Sequence, residues 1–516
     1  MSHIDEESAA LVESMRVPRV WKNGQIPISR LPDEILLMIF KHFEEERRLN
    51  GYDSDDDFES DAVDDAPACL VVTHVCRRWR KVALECPTLW RFISSTSLYW
   101  LDVMLERSQQ APLVVTYTTF AISLKGCLEK ILLHLPHIKY LELRALSYHV
   151  GRVMDLLSSQ PAPMLETFKF SVYGQLPSTV SISDTIFQGQ APSLRYLEVD
   201  YCNPRWSSSI FSGLRTLYVA KTSLPDLLSA LQCTDTLEQL TLRYDFLQTG
   251  QSILIDGVPL PRLKKIVLDG TSLETAVSLL GRLALPVNVK IALQLSSIEG
   301  HRTFADLFSV MNMHPGGSGP VFRSLRAIKL KPWRFAVQFS SLTEINSNYS
   351  WNPQDDDIQL SIQFYYEDSN EFQPNGPPAG FSRDIVFDMC KIIAQRSGLT
   401  FFSGKFESIY VEGGPDFIGG LTAALRIEGS SRGTYPSLRV LKLLGISFEG
   451  DELQNLRDVL TMRAKHEVPV HDLRLRLCRN FTADQMQLFQ QVVMNKIDCD
   501  QSTLDHGSIA AILYPS

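Results

Sequence analysis

The sequence predicts an α/β chain, α+β at its N-terminus, with a small helical module followed by an irregular solenoid whose short strands form a curved, mostly parallel sheet. Three observations carry that expectation. Two blocks near the N-terminus, LPDEILLMIF at 31–40 and VVTHVCRRWRKVALECPTLW at 71–90, place apolar residues at helical spacing. Beyond them the pattern apolar-x-x-apolar-x-apolar recurs at steps of about 20 to 29 residues, the period of a stacked repeat. With 516 residues, 44% of them hydrophobic, the chain has mass enough for several domains or one long array.

Taken in order, residues 1–27 read as a tail. Their opening, MSHIDEESAALVESM, is acidic where a secretory signal would be basic, and no apolar run in the chain reaches the length of a bilayer span. A helix then starts at Pro32, whose missing N–H costs nothing in a first turn, with Asp33 and Glu34 where the helix dipole favours negative charge. Ile35, Leu36, Ile39, Phe40 and Phe43 form its stripe. In the second block Val72, Val75, Cys76, Trp79 and Val82 recur at three- and four-residue steps, Arg77, Arg78, Arg80 and Lys81 point elsewhere, and Leu89 and Trp90 close the unit. So small a unit, with little behind it to form a core, is expected to need a partner.

At these residues the chain resembles an F-box, the module by which substrate receptors dock onto the Skp-type adaptor of SCF ubiquitin ligases. The opening is Leu31, Pro32, Asp33, Glu34, Ile35; the second submotif is Val75, Cys76, Arg77, Arg78, Trp79; the trailing pair is Leu89 and Trp90. The resemblance covers residues 28–92 and implies adaptor contacts at Leu31, Pro32, Ile35, Leu36, Ile39, Val75, Cys76, Trp79, Leu89 and Trp90. It departs from a compact F-box in the acidic insert at 44–66. There GYDSDDDFESDAVDDA is expected to be disordered by self-repulsion, and Ser54, followed by three aspartates, suits an acidophilic kinase.

Residues 93–330 hold the first run of repeats: Ile138/Leu141/Leu143, Leu165/Phe168/Phe170, Leu194/Leu197/Val199, Leu214/Leu217/Val219, Leu237/Leu240/Leu242, Leu263/Ile266/Leu268 and Leu325/Ile328/Leu330. The spacing is that of leucine-rich repeats, in which one strand and a returning helix or turn form each unit and neighbours supply the core. Cys202 and Cys478 occupy the consensus Asn/Cys position three residues past the last strand leucine. Thr222, Asp245 and Thr271 are polar substitutes there, and Leu146, Trp333 and Ile446 break the rule. Residues 331–382 lose the period and read as an insertion, with IQLSIQFYY alternating as a strand. Residues 383–516 resume the array with Phe406/Ile409/Val411, Leu438/Leu441/Leu443 and Val470/Leu473/Leu475, and helices are expected at 382–398, 451–464 and 483–496.

In such a solenoid the variable strand residues face the concave side, which makes Tyr140, Tyr196, Glu198, Tyr218, Lys329, Tyr410, Lys442 and Arg474 the candidates for binding a protein target. Their charge drifts from glutamate early to lysine and arginine late, so an acidic or phosphorylated target is expected against the later end.

Other function classes find little support. A net charge of −9 argues against nucleic acid or anionic membrane as partner. Nine scattered cysteines without a C-x-x-C pair suit reduced thiols in the cytosol or nucleus, which makes the sequons at Asn348 and Asn480 incidental. The G-x-S-x-G string at Gly429–Gly433 runs into a proline-opened strand instead of a helix, the glycines at 316, 317 and 319 lack a following Lys-Ser/Thr, and Cys69, His74, Cys76 and Cys86 match no zinc spacing. No catalytic residue, metal or cofactor is expected. The reading is a non-catalytic receptor that holds the adaptor at one end and a protein target on its repeats. Its rivals are a scaffold without a role in ubiquitin transfer and an α/β enzyme.

Overall fold

The computed structural model describes residues 26–50, 68–94, 98–119, 126–174, 180–204, 209–243, 257–286, 288–297, 304–312, 323–331, 334–340, 358, 360–365, 406–413, 416–427 and 435–500. The chain divides into two compact units, Met1–Ile210 and Phe211–Ser516.

The first unit opens with a 3-10 turn at Pro27–Arg30 and three helices, α1 (Asp33–Asn50), α2 (Ala68–Thr73) and α3 (Arg77–Leu84). The second apolar block is thus broken in two. Cys76 is fully extended (φ −157°, ψ 170°), and its sulfur accepts the Trp79 N–H at 3.5 Å, so it caps α3 and cannot continue a helix. A sheet follows: β1 (Phe92–Ile93), β2 (Leu113–Thr118), β3 (Ile138–Leu146), β4 (Thr167–Tyr173) and β6 (Tyr196–Asp200) pair in that order, all parallel. The short strands β5 (Val180–Ile182) and β7 (Cys202–Pro204) pair separately. Parallel neighbours need a crossover. Helices α4 (Leu98–Ser108), α5 (Cys127–Leu132) and α6 (Val150–Leu157) supply it. Leu141, Phe168 and Leu197 stack across the sheet as one buried ladder, and Leu143, Phe170 and Val199 as the next.

The second unit repeats the plan. Strands β8 (Thr216–Ala220), β9 (Gln239–Arg243), β11 (Lys265–Ser272) and β13 (Lys290–Ser297) run parallel, with β10 (Val258–Pro259) and β12 (Leu283–Ala284) forming a separate pair. The segment where the period is lost then enters the sheet itself: β15 (Arg334–Ser340) pairs antiparallel with both β14 (Ser324–Lys331) and β16 (Leu360–Tyr365), and β16 lies parallel against β13. From β14 the parallel order resumes through β17 (Ser408–Glu412), β18 (Val440–Leu444), β19 (Asp472–Arg476) and β20 (Lys496–Cys499). Crossovers include α7 (Leu224–Gln232), α8 (Leu273–Leu280), α9 (Phe304–Asn312), α10 (Asp416–Leu425), α11 (Glu452–Lys465) and α12 (Ala483–Gln490). The last helix is shorter than its expected span to 496, because Lys496–Cys499 leave to pair with β19. The expected helix at 382–398 lies outside the described residues.

One backbone device recurs in both units. The residue two past the final strand leucine is left-handed at Tyr201, Lys221, Gly270, Gly445 and Leu477, with φ between 52° and 66°. Each turns the next side chain inward: Cys202, Thr222, Thr271, Ile446 and Cys478 are all at most 2% exposed. The Cys202 thiol donates to the Asp200 carbonyl at 3.2 Å, and the Cys478 thiol reaches the Leu443 and Arg476 carbonyls. Ile446, which lacks the polar group, still fills the slot, so the turn depends on the left-handed residue before it. Leu146 differs, since β3 continues through it to pair with Tyr173. Asp245 and Trp333 lie outside the described residues.

Candidate protein-docking surfaces

The helical module builds its own core. Leu36, Phe40, Cys69, Val72, Val82, Ala83, Leu89, Trp90 and Met104 of α4 are buried together. The Trp90 indole N–H donates to the Ala83 carbonyl at 2.9 Å, and the Arg107 guanidinium lies 4.4 Å over its ring. Trp79 packs from the edge with its ring 4.9 Å from that of Phe40, and Leu31 also packs against the cluster. Burial, together with the nearby Glu44 carboxylate, pushes the Cys69 thiol up to about 12, which keeps it protonated within the core.

The stripe read from the sequence as one face therefore splits. Leu36 and Phe40 point inward, whereas Ile35, Met38 and Ile39 point to solvent at 41%, 67% and 39% exposure. The break before α3 leaves Val71 and Val75 half exposed, and Pro32 is exposed as well. Of the ten expected contacts, Pro32, Ile35, Ile39 and Val75 are open to a partner, and Leu31, Cys76 and Trp79 are partly so. Leu36, Leu89 and Trp90 are at most 1% exposed and act through the core that shapes the face. Met38 and Val71 were missed because nothing in a helical stripe distinguishes an outward apolar residue from an inward one. The face is held in place by Arg78, which forks onto the Asp33 carboxylate at 2.6 Å and onto the Ser29 and Leu31 carbonyls, tying α3 to the start of α1.

Residues 28–96 match the F-box-like family. The match covers both submotifs and the trailing Leu89–Trp90 pair, and it ends just after β1 of the adjoining sheet. No curated protein matches the chain. Most of the insert at 44–66 of the F-box-like domain, including Ser54, lies outside the described residues, as do the Gly429–Gly433 string and the glycines at 316, 317 and 319. Among the described residues no cluster of His, Cys, Asp and Glu is arranged to hold a metal, and no helix is long and apolar enough to cross a membrane.

The strand face beyond the F-box-like domain brings the other candidates into rows. Val114, Tyr140, Thr167 and Tyr196 sit side by side, and Thr116, Glu142, Lys169 and Glu198 form the next row. Each glutamate is answered locally. The Tyr140 hydroxyl donates to Glu142 at 2.7 Å and Arg144 binds the same carboxylate; the Tyr196 hydroxyl donates to Glu198 at 2.8 Å, with Lys169 at 3.1 Å. Burial and the bond to Glu142 push the Tyr140 hydroxyl well above the usual tyrosine range.

In the second unit Tyr218 lies opposite Thr241, and Tyr410, Lys442, Arg474 and Asp498 share a row. Lys329 does not join it. Leu325, and not Ile328, sits opposite Ile409, so Arg326 lies beside Tyr410. An offset of three residues exchanges the two faces of a strand. The leucine spacing alone could not reveal this register, in a strand whose other edge pairs antiparallel with β15. Arg326 completes a third Tyr-Glu-cation group, with its guanidinium 4.9 Å from the Tyr410 ring and 3.1 Å from Glu412, to which the Tyr410 hydroxyl also donates. At the later end Arg474 has Asp472 at 3.8 Å, and Arg476 bonds Asp498 at 2.6 Å. Arg474 and Arg476 are thus paired with aspartates, at the end where the sequence led to the expectation of an acidic target.

Proposed function

We propose that this protein is a non-catalytic substrate receptor that docks on the Skp-type adaptor of an SCF ubiquitin ligase through its F-box-like domain. A leucine-rich-repeat-like strand face then presents a protein target. The supporting observation is the outward apolar set Ile35, Met38, Ile39, Val71 and Val75, on a module that already has a filled core. Five such side chains on so small a domain are the signature of an unmet interface. On this reading the protein acts in the cytosol or nucleus, needs no cofactor, and contributes proximity to a ubiquitin-loaded enzyme held elsewhere in the complex.

The recurring left-handed turn and the stacked apolar ladders support the repeat assignment. The test is binding of the full chain to the adaptor, followed by loss of that binding in Ile35→Asp/Met38→Asp. A folded double variant that binds like the wild type rejects the docking reading. Adaptor binding without any protein whose lifetime depends on this chain favours the scaffold alternative.

A further inference from the structure

Arg91 follows directly on the F-box-like domain's Leu89–Trp90 pair, and its carbonyl accepts the Val114 N–H at 2.9 Å, so its backbone is fixed as the first rung of the sheet. Its guanidinium rests 4.6 Å from the Phe92 ring. The Nε atom is buried and has no hydrogen-bond partner among the described residues, and no ion pair of Arg91 occurs among them. A buried guanidinium nitrogen left without an acceptor is uncommon. Beside it lies a cavity of about 200 Å³ lined by Arg91, Pro112, Val114, Lys139, Tyr140, Glu166 and Thr167.

The other polar groups of the cavity are accounted for. Lys139 and Glu166 neutralise each other at 3.1 Å. The Tyr140 hydroxyl is turned to Glu142 at 2.7 Å, and that glutamate is held in turn by Arg144. The Thr167 hydroxyl makes no bond within the described residues. Among the described residues, Arg91 and the Thr167 hydroxyl are therefore the lining groups without an ionic or hydrogen-bonded partner, beside a floor made by the row Val114, Tyr140 and Thr167. The cavity carries a net positive charge and offers donors without a matching acceptor, which is the chemistry of an oxyanion subsite.

We infer that this cavity binds an oxyanion borne by the target, a phosphoryl or carboxylate group seated on the Arg91 guanidinium and the Thr167 hydroxyl. The inference rests on the receptor reading for its biological source, and it places the acidic recognition element at the early end of the strand face, opposite to the end that the sequence favoured. Arg474 and Arg476, by contrast, are already paired with Asp472 and Asp498.

The test uses the full chain with two probes at constant ionic strength, inorganic phosphate followed by phosphorus line broadening and acetate followed by proton saturation transfer. Saturable binding is expected in the wild type, weakened about tenfold or more in Arg91→Gln and by a few-fold in Arg91→Lys, where a point charge replaces the fork. Binding of phosphate but not acetate identifies a phosphoryl target, and binding of both admits a carboxylate. Absence of saturable binding by either probe overturns the inference, as does an Arg91→Gln protein that keeps the wild-type melting temperature and affinity. If Arg91→Gln lowers the melting temperature, Thr167→Val decides instead: about threefold weaker binding supports the site and unchanged binding rejects it. Adaptor binding is measured on the same preparation. Its retention without binding of either probe sinks the subsite alone, and its loss with probe binding intact sinks the docking reading alone.

Discussion

Adjacent residues of α1 should respond in opposite ways to the same truncation. Leu36 is fully buried and Ile35 is 41% exposed. Leu36→Ala removes a core side chain packed against Phe40, Trp90 and their neighbours and should cost about 2–5 kcal/mol of local stability. Ile35→Ala leaves the core intact and should change stability by no more than about 0.5 kcal/mol. For binding the order reverses. A full aliphatic side chain is worth about 1.5–3 kcal/mol on burial, so the exposed two-fifths of Ile35 carries about 1 kcal/mol and the exposed two-thirds of Met38 about 1–2 kcal/mol. Covering both should contribute about 2–3 kcal/mol, which is about 30- to 150-fold in the dissociation constant of the Ile35→Ala/Met38→Ala protein. Amide exchange in Asp33–Asn50 reports the stability change, and calorimetry against the Skp-type adaptor reports binding. Unaltered affinity in the double variant, or unaltered exchange in Leu36→Ala, would refute the division of α1 into a core side and a docking side.

Other outcomes follow from the same geometry. Arg78→Ala should loosen the start of α1 by about 1.5–3 kcal/mol because two carbonyls and a carboxylate lose their donor. Asp33→Asn, which keeps both carbonyl bonds, should cost less than about 1 kcal/mol by the same exchange assay. Leu477, half exposed at φ 52°, should be replaceable by glycine with a gain of about 0.5 kcal/mol in urea unfolding, since left-handed strain outweighs glycine's entropic cost there. The bond from Arg476 holds the Asp498 carboxyl below its usual range. Its native form therefore binds fewer protons than the unfolded chain, so the associated stability is complete above the ordinary carboxylate range and is lost as pH falls through the depressed value. Asp498→Asn should flatten that acid limb of the melting profile; an unchanged limb would show that the pair is fully screened.

Much of the architecture was legible because leucine spacing and strand burial report the same thing. Leu141, Phe168 and Leu197 had to share one ladder once each was recognised as the central residue of a repeat, and they do. The F-box-like domain was legible because Leu31–Ile35, Val75–Trp79 and Leu89–Trp90 occur in order, and the family match spans them. What failed was sidedness. A stripe at helical spacing names the residues of α1 that are apolar without saying that Leu36 is inside and Ile35 outside, because that choice is made by the α2–α3 break at Cys76, a single extended residue within an otherwise helical pattern. The same limit misassigned Lys329, because β14 meets β17 three residues out of the expected register, which puts Arg326 in the row. Charge was the least legible property. The drift toward late lysine and arginine looked like a basic surface, yet Asp472 and Asp498 lie within reach of Arg474 and Arg476, whereas the Nε of Arg91, outside any repeat position, has no hydrogen-bond partner among the described residues. A cation's availability is set by what the fold places beside it. On the receptor reading proposed above, Arg91, where the F-box-like domain meets the first strand, would be the cation that meets the target's charge, whereas Arg474 and Arg476 are engaged by aspartates.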